Sequence, residues 1–134
     1  MTSVSSTPVS IHGRAIVLFA HGSREPQWRA PLDAVAAAIR ARQAERPVRC
    51  AFLELCEPSL SAASAELVES GAGHITVFPV FFGVGKHARE DLPVLMAQLR
   101  SAHPAVTFEL LPAAGEHDAL VSLLADIAVS GSPA

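Results

Sequence analysis

The chain has 134 residues, 50% hydrophobic and 17% charged, with a formal net charge of −3; this is the composition of about one globular domain and excludes a disordered chain. A weakly acidic chain carries no basic footprint for nucleic acid. Its longest largely apolar stretch, Ile75 to Phe82, falls far short of the ~20 residues a spanning helix needs.

Residues 1–12 read as a flexible N-terminal tail without the charged start and apolar run of a secretory signal. Residues 13–129 read as a single domain and residues 130–134 as a C-terminal tail. Ala15 to Ala20 is a short, continuously apolar run, the pattern of a strand covered on both faces. Leu32, Val35, Ala36 and Ile39 then recur at helical spacing, with Pro26 and Pro31 in the first turns and Pro47 past the end. Val48 to Leu55 is the second predicted strand. Leu60, Ala63, Leu67 and Val68 mark a second helix, stopped by Gly71 and Gly73. His74 to Phe82 is the third strand, and Leu92, Leu95, Met96 and Leu99 mark the third helix, ended by His103-Pro104. Val106 to Leu111 is the fourth strand, and Leu120, Leu123, Leu124 and Ile127 give the last helix its apolar stripe. Cys50 and Cys56 are too few for a disulfide framework and are expected to be free thiols, as in a reducing cytoplasm.

This alternation predicts an α/β fold of three layers, a four-stranded parallel sheet flanked by helices in a (βα)₄ arrangement. In such sheets ligands bind outside the carboxyl ends of the strands. There the first strand runs into His21-Gly22-Ser23-Arg24, the second ends at Glu54, and the third ends in Gly83-Val84-Gly85-Lys86-His87. In a 2-1-3-4 strand order, neighbouring strands lie about 4.8 Å apart, so His21, Glu54 and His87 could reach one metal-sized point. Two imidazoles and a carboxylate suit Co²⁺, Fe²⁺, Ni²⁺ or Zn²⁺. Each also has a plainer reading: a turn hydrogen bond for His21, a helix cap for His87, a solvated acid for Glu54. His12, His74 and His103 read as structural or solvated, and His117 as a cap on the last helix.

Other motifs compete. Gly83 to Ala88 matches the dinucleotide fingerprint G-x-G-x-x-[GA], with Glu109 as its ribose acid, but it opens the third βα unit instead of the first. The same stretch lacks the first glycine and the Ser/Thr of a phosphate-cradling loop. His21-Gly22 lacks the arginine that precedes this pair in histidine phosphatases; Ala20 stands there.

Taken together, AHGSREP after the first strand, AFLELCEPSL through the second and PVFFGVGKHAREDLP at the third resemble the small CbiX-type chelatases, the sirohydrochlorin cobaltochelatase/ferrochelatase family. The resemblance runs from residue 15 to about residue 128. It implies a class II chelatase fold and a lyase that inserts Co²⁺ or Fe²⁺, or in some members Ni²⁺, into sirohydrochlorin, on the way to cobalamin or siroheme. It implies no organic cofactor, the metal ion being a substrate, and no nucleic-acid or membrane partner. By resemblance His21 and His87 bind metal and handle protons, Glu54 joins them, and Phe82, Gly83, Val84, Gly85 and Lys86 line the macrocycle. Ser23, Arg24 and Arg89 flank this rim, where the two arginines and Lys86 could pair with substrate carboxylates. Lys86 stands where many relatives have a small residue, and a cation beside the metal opposes it unless it points toward substrate. A metal or tetrapyrrole carrier without turnover is the alternative. One domain offers one wall to a flat macrocycle, so a homodimer is expected, with Phe81 to Val84 in the contact.

Overall fold

A computed structural model of the chain describes residues 13–131. The N-terminal tail, with His12, and residues 132–134 lie outside the described residues. In chain order the elements are β1 (Arg14–Ala20), α1 (Ala30–Arg42), β2 (Val48–Phe52), α2 (Leu60–Glu69), β3 (His74–Pro79), α3 (Lys86–Ala102), β4 (Thr107–Leu110) and α4 (Asp118–Ser130). Short 3-10 turns at Pro26–Arg29 and Ala114–Glu116 precede α1 and α4. The four strands form one parallel sheet in the order β2-β1-β3-β4, the expected arrangement.

Strand ends differ from the sequence reading. The second strand stops at Phe52 instead of Leu55, the third at Pro79 instead of Phe82, and the fourth covers 107–110 instead of 106–111. In each case apolar side chains continue into a rim loop after regular pairing has ended, so hydrophobicity overshoots the ladder. Ser130, assigned to the tail, is the last residue of α4, which Gly131 closes in the left-handed conformation at φ 69°.

The central strand β1 is buried on both faces. One face packs Val17, Phe19, Ile75, Val77 and Phe108 against Leu60, Ala63 and Leu67 of α2 and against Leu92, Met96 and Leu99 of α3. The other packs Leu18, Ala20, Val48, Cys50 and Phe52 against Leu32 and Ala36 of α1. The last helix breaks this pattern. None of its residues is buried, and Val121, Leu123, Leu124, Ile127 and Val129 are 41–88% exposed. Its predicted stripe is real but uncovered among the described residues. α4 begins beside the sheet face that α1 covers, where the His117 ring meets Phe78 edge-on at 5.4 Å.

Both outer strands are blunted in the same way. Arg40 of α1 donates to the Val48 carbonyl at 2.9 Å, and Arg100 of α3 donates to the Phe108 carbonyl at 3.0 Å. Arginines placed on these edges occupy carbonyls that another strand could otherwise use.

Candidate active site

The rim at the carboxyl ends of β1 and β2 is held by pairing that outlasts the strands. Leu53 N–H donates to the Ala20 carbonyl at 2.9 Å and Glu54 N–H to the His21 carbonyl at 3.0 Å, so His21 and Glu54 leave the sheet side by side. Gly22, at φ +105°, sits where any Cβ would collide with the Glu54 carbonyl; only glycine permits both the left-handed turn and this contact. Just beyond, Leu55 adopts φ 69°, uncommon for a residue with a side chain, and turns the loop back toward β2. There Phe52 N–H donates to the Pro58 carbonyl at 2.9 Å.

At the end of β3, Val80 N–H donates to the Phe19 carbonyl at 2.7 Å. Phe81 then turns back into the core, 2% exposed, and its ring stacks on His21 with centroids 4.2 Å apart and planes 24° apart. Gly115 N–H donates to the Phe81 carbonyl at 3.0 Å, and a Cβ on Gly115 would collide with the Phe82 carbonyl. The turn before α4 therefore braces the loop that leads to α3. That helix starts at Lys86, with Gly85 as its N-cap and no side-chain cap bond.

These elements enclose a cavity of about 510 Å³ whose lining includes His21, Glu54, Gly85, Lys86, His87 and Asp91. Three strand ends thus bring the two imidazoles and Glu54 to one space, as the strand order implied. All three side chains are on exposed residues. Among the described residues no three His, Cys, Asp or Glu side chains converge closely enough to hold a metal ion. The donors share a cavity without forming a finished coordination shell.

The remaining expected residues divide. Gly85 and Lys86 line this cavity, whereas Val84 and Arg89 face a neighbouring one of about 360 Å³ with Pro79, Leu110 and Glu116. Arg89 donates to the Val84 carbonyl at 3.0 Å. Ser23 Oγ accepts from Glu25 N–H at 3.1 Å, which shapes the turn. Arg24, Phe82 and Gly83 are exposed on the rim, Phe82 at 75%.

The plainer readings fare unevenly. His87 does not cap α3, and the His21 ring stacks on Phe81. His117 is the N-cap residue of α4, as expected, but its side chain makes no cap bond; its Nε2 lies 2.8 Å from the Pro112 carbonyl. Glu109 lies 3.5 Å from His74 Nε2 and from Thr76 Oγ1 within the sheet, away from the glycine-rich loop. Both cysteines are free, and neither lines the cavity. Burial, then the neighbouring Asp33, pushes the Cys50 thiol up from its ordinary value.

Two residues carried no role at the site in the sequence reading, which placed Phe81 in a dimer contact and assigned Asp91 nothing. Phe81 looked like more strand, although an aromatic residue directly after a strand beside a rim histidine is a signal for stacking. Asp91 stood four residues after His87, the spacing that puts two side chains on one helix face.

The family model described as CbiX matches residues 15–129. The chain belongs to the CbiX family. Among relatives, it is 37% identical over 82 residues to a sirohydrochlorin cobaltochelatase of Methanopyrus kandleri, covering 61% of this chain and 57% of that protein. It thus spans less than two thirds of the length of that relative. Among solved structures, a cobalamin-biosynthesis CbiX protein from Marinobacter aquaeolei superposes with a TM-score of 0.76 at 28% identity, covering 88% of this chain and 96% of the other. The sirohydrochlorin chelatase SirB of Bacillus subtilis subspecies spizizenii, solved in complex with cobalt, gives 0.72 at 27% identity, covering 87% of this chain but only 50% of SirB.

Proposed function

We propose that this CbiX-family chain is a lyase that inserts a divalent metal, Co²⁺ or Fe²⁺ with Ni²⁺ as a third candidate, into sirohydrochlorin. The observation that carries the reading is the strand-end cavity lined by His21, Glu54 and His87, in a chain similar to named sirohydrochlorin chelatases. Insertion requires loss of two pyrrole N–H protons and of water bound to the metal. A neutral imidazole can serve both as metal ligand and as proton acceptor near neutral pH. His21, held flat on Phe81, is the choice for base and ligand; His87 is the second ligand, and Glu54 accepts a proton or completes the shell. An unfinished, exposed donor set suits this task, because the metal has to be handed on. In this reading Gly85, on the cavity wall, leaves room for a flat ligand, and Lys86 beside it and Arg24 on the rim pair with its carboxylates.

The working form in this reading is a cytoplasmic homodimer. Phe81 is core and cannot contribute to the contact; Phe82 and the apolar face of α4, uncovered among the described residues, are the surfaces that support pairing. SirB supplies a parallel, since this chain matches only 50% of its length. Light scattering should give about twice the chain's 14.0 kDa at micromolar concentration, and Leu123→Asp should return the single mass. A single mass in a preparation that turns over would contradict the dimer.

The test of function is to incubate the protein with sirohydrochlorin and Co²⁺, Fe²⁺ or Ni²⁺ in turn, following the macrocycle's absorbance. Catalytic conversion above the uncatalysed rate is expected. Stoichiometric binding without turnover would make the chain a carrier instead.

A further inference from the structure

The ionisable side chains around the cavity, imidazoles aside, are one ammonium, Lys86, and two carboxylates, Glu54 and Asp91. Without Asp91, Lys86 and Glu54 would cancel, and an incoming divalent ion would meet no net charge. Asp91 also lies four residues after His87 on α3, so both project from one face of its first two turns with Cβ atoms roughly 5–6 Å apart. Glu90, its neighbour in sequence, does not line the cavity.

We propose that Asp91 is a working part of the site: its carboxylate offsets Lys86 and gives the cavity the net negative charge that draws a divalent cation to His21 and His87. The presence of a lysine beside a cation-handling histidine then has a physical account. Lys86 is free to serve the acidic substrate, while Asp91 restores the field that the metal needs. The inference rests on the metal-handling reading of the cavity above, but not on turnover.

The test is Co²⁺ binding to the intact chain at low ionic strength, measured by calorimetry with the metal alone. Asp91→Asn should weaken binding about tenfold, the scale expected when one unit charge acts on a divalent ion over several ångströms of water-screened space. The loss should shrink in high salt, because all these groups are exposed. Lys86→Met in the Asp91→Asn background should restore most of the affinity, and the salt dependence of the Asp91→Asn loss is what a merely structural role for Asp91 would not produce. Glu90→Gln should leave binding unchanged. Equal affinity of the wild type and Asp91→Asn overturns the assignment, and so does a loss that Lys86→Met fails to reverse. If these differences appear but no metal enters sirohydrochlorin, the proposed reaction fails and the role of Asp91 stands.

Discussion

The two faces of the sheet are finished to different degrees. On the α2–α3 face, Phe19, Val77, Phe81, Ala88 and Met96 form one continuous core, and it reaches up to the rim beneath His21. On the α1 face the buried cluster is smaller, and α4 starts beside it with its apolar residues left in solvent. The first face is built by the chain alone and carries the site's support. The second carries an apolar surface that no described residue covers. The support of the site therefore belongs to one side of the molecule, and the proposed pairing surface to the other.

That division can be broken most directly by comparing equivalent truncations. Met96→Ala on α3 removes a side chain that is 1% exposed and should cost about 2–5 kcal/mol in urea unfolding. Ile127→Ala on α4, 45% exposed, should cost less than about 0.5 kcal/mol when the chain is dilute enough to be monomeric. Similar costs would mean that α4 belongs to the monomer's core.

A smaller effect sharpens the claim that the first face positions the site. Phe81→Leu keeps an apolar side chain of similar bulk but removes the ring on which His21 stacks. An aromatic stack is worth about 1 kcal/mol, so metal insertion should slow about fivefold, and the His21 ring protons should lose their ring-current shift in NMR. An unchanged rate with the shift lost would confine Phe81 to packing. The smallest effect concerns the α1 face. Burial and Asp33 raise the Cys50 thiol, so less of it is thiolate at a given pH, whereas Cys56 is only half-buried. Iodoacetamide at mildly alkaline pH should label Cys56 first, and preferential labelling of Cys50 would mean that this face opens.

The fold was legible because its signals are local and repeated: an apolar run such as Ala15 to Ala20 cannot easily be anything but a buried strand. Boundaries were less so. Leu53 and Phe81 are as apolar as the strand residues before them, yet each follows the end of its strand. The stripe on α4 is a true apolar face, but amphipathy says only that a face wants cover, not what covers it. At the site, His21 and Glu54 were legible because strand order fixes neighbours. The turning of Arg89 and Val84 into the adjacent cavity was not, since it depends on where α3 begins. Lys86 reads as an obstacle in the sequence, which does not show that Asp91 lines the same cavity.

In the proposed reaction His21 and His87, brought to one cavity by two adjacent strand ends, carry metal insertion. The most direct test is the initial rate of Co²⁺ insertion into sirohydrochlorin at limiting metal, for the wild type, His21→Ala and His87→Ala, with the uncatalysed rate subtracted. Each variant should keep its circular dichroism and lose at least about 100-fold in rate, the lower end of what a positioned proton acceptor contributes. Near-wild-type rates in both folded variants would contradict it.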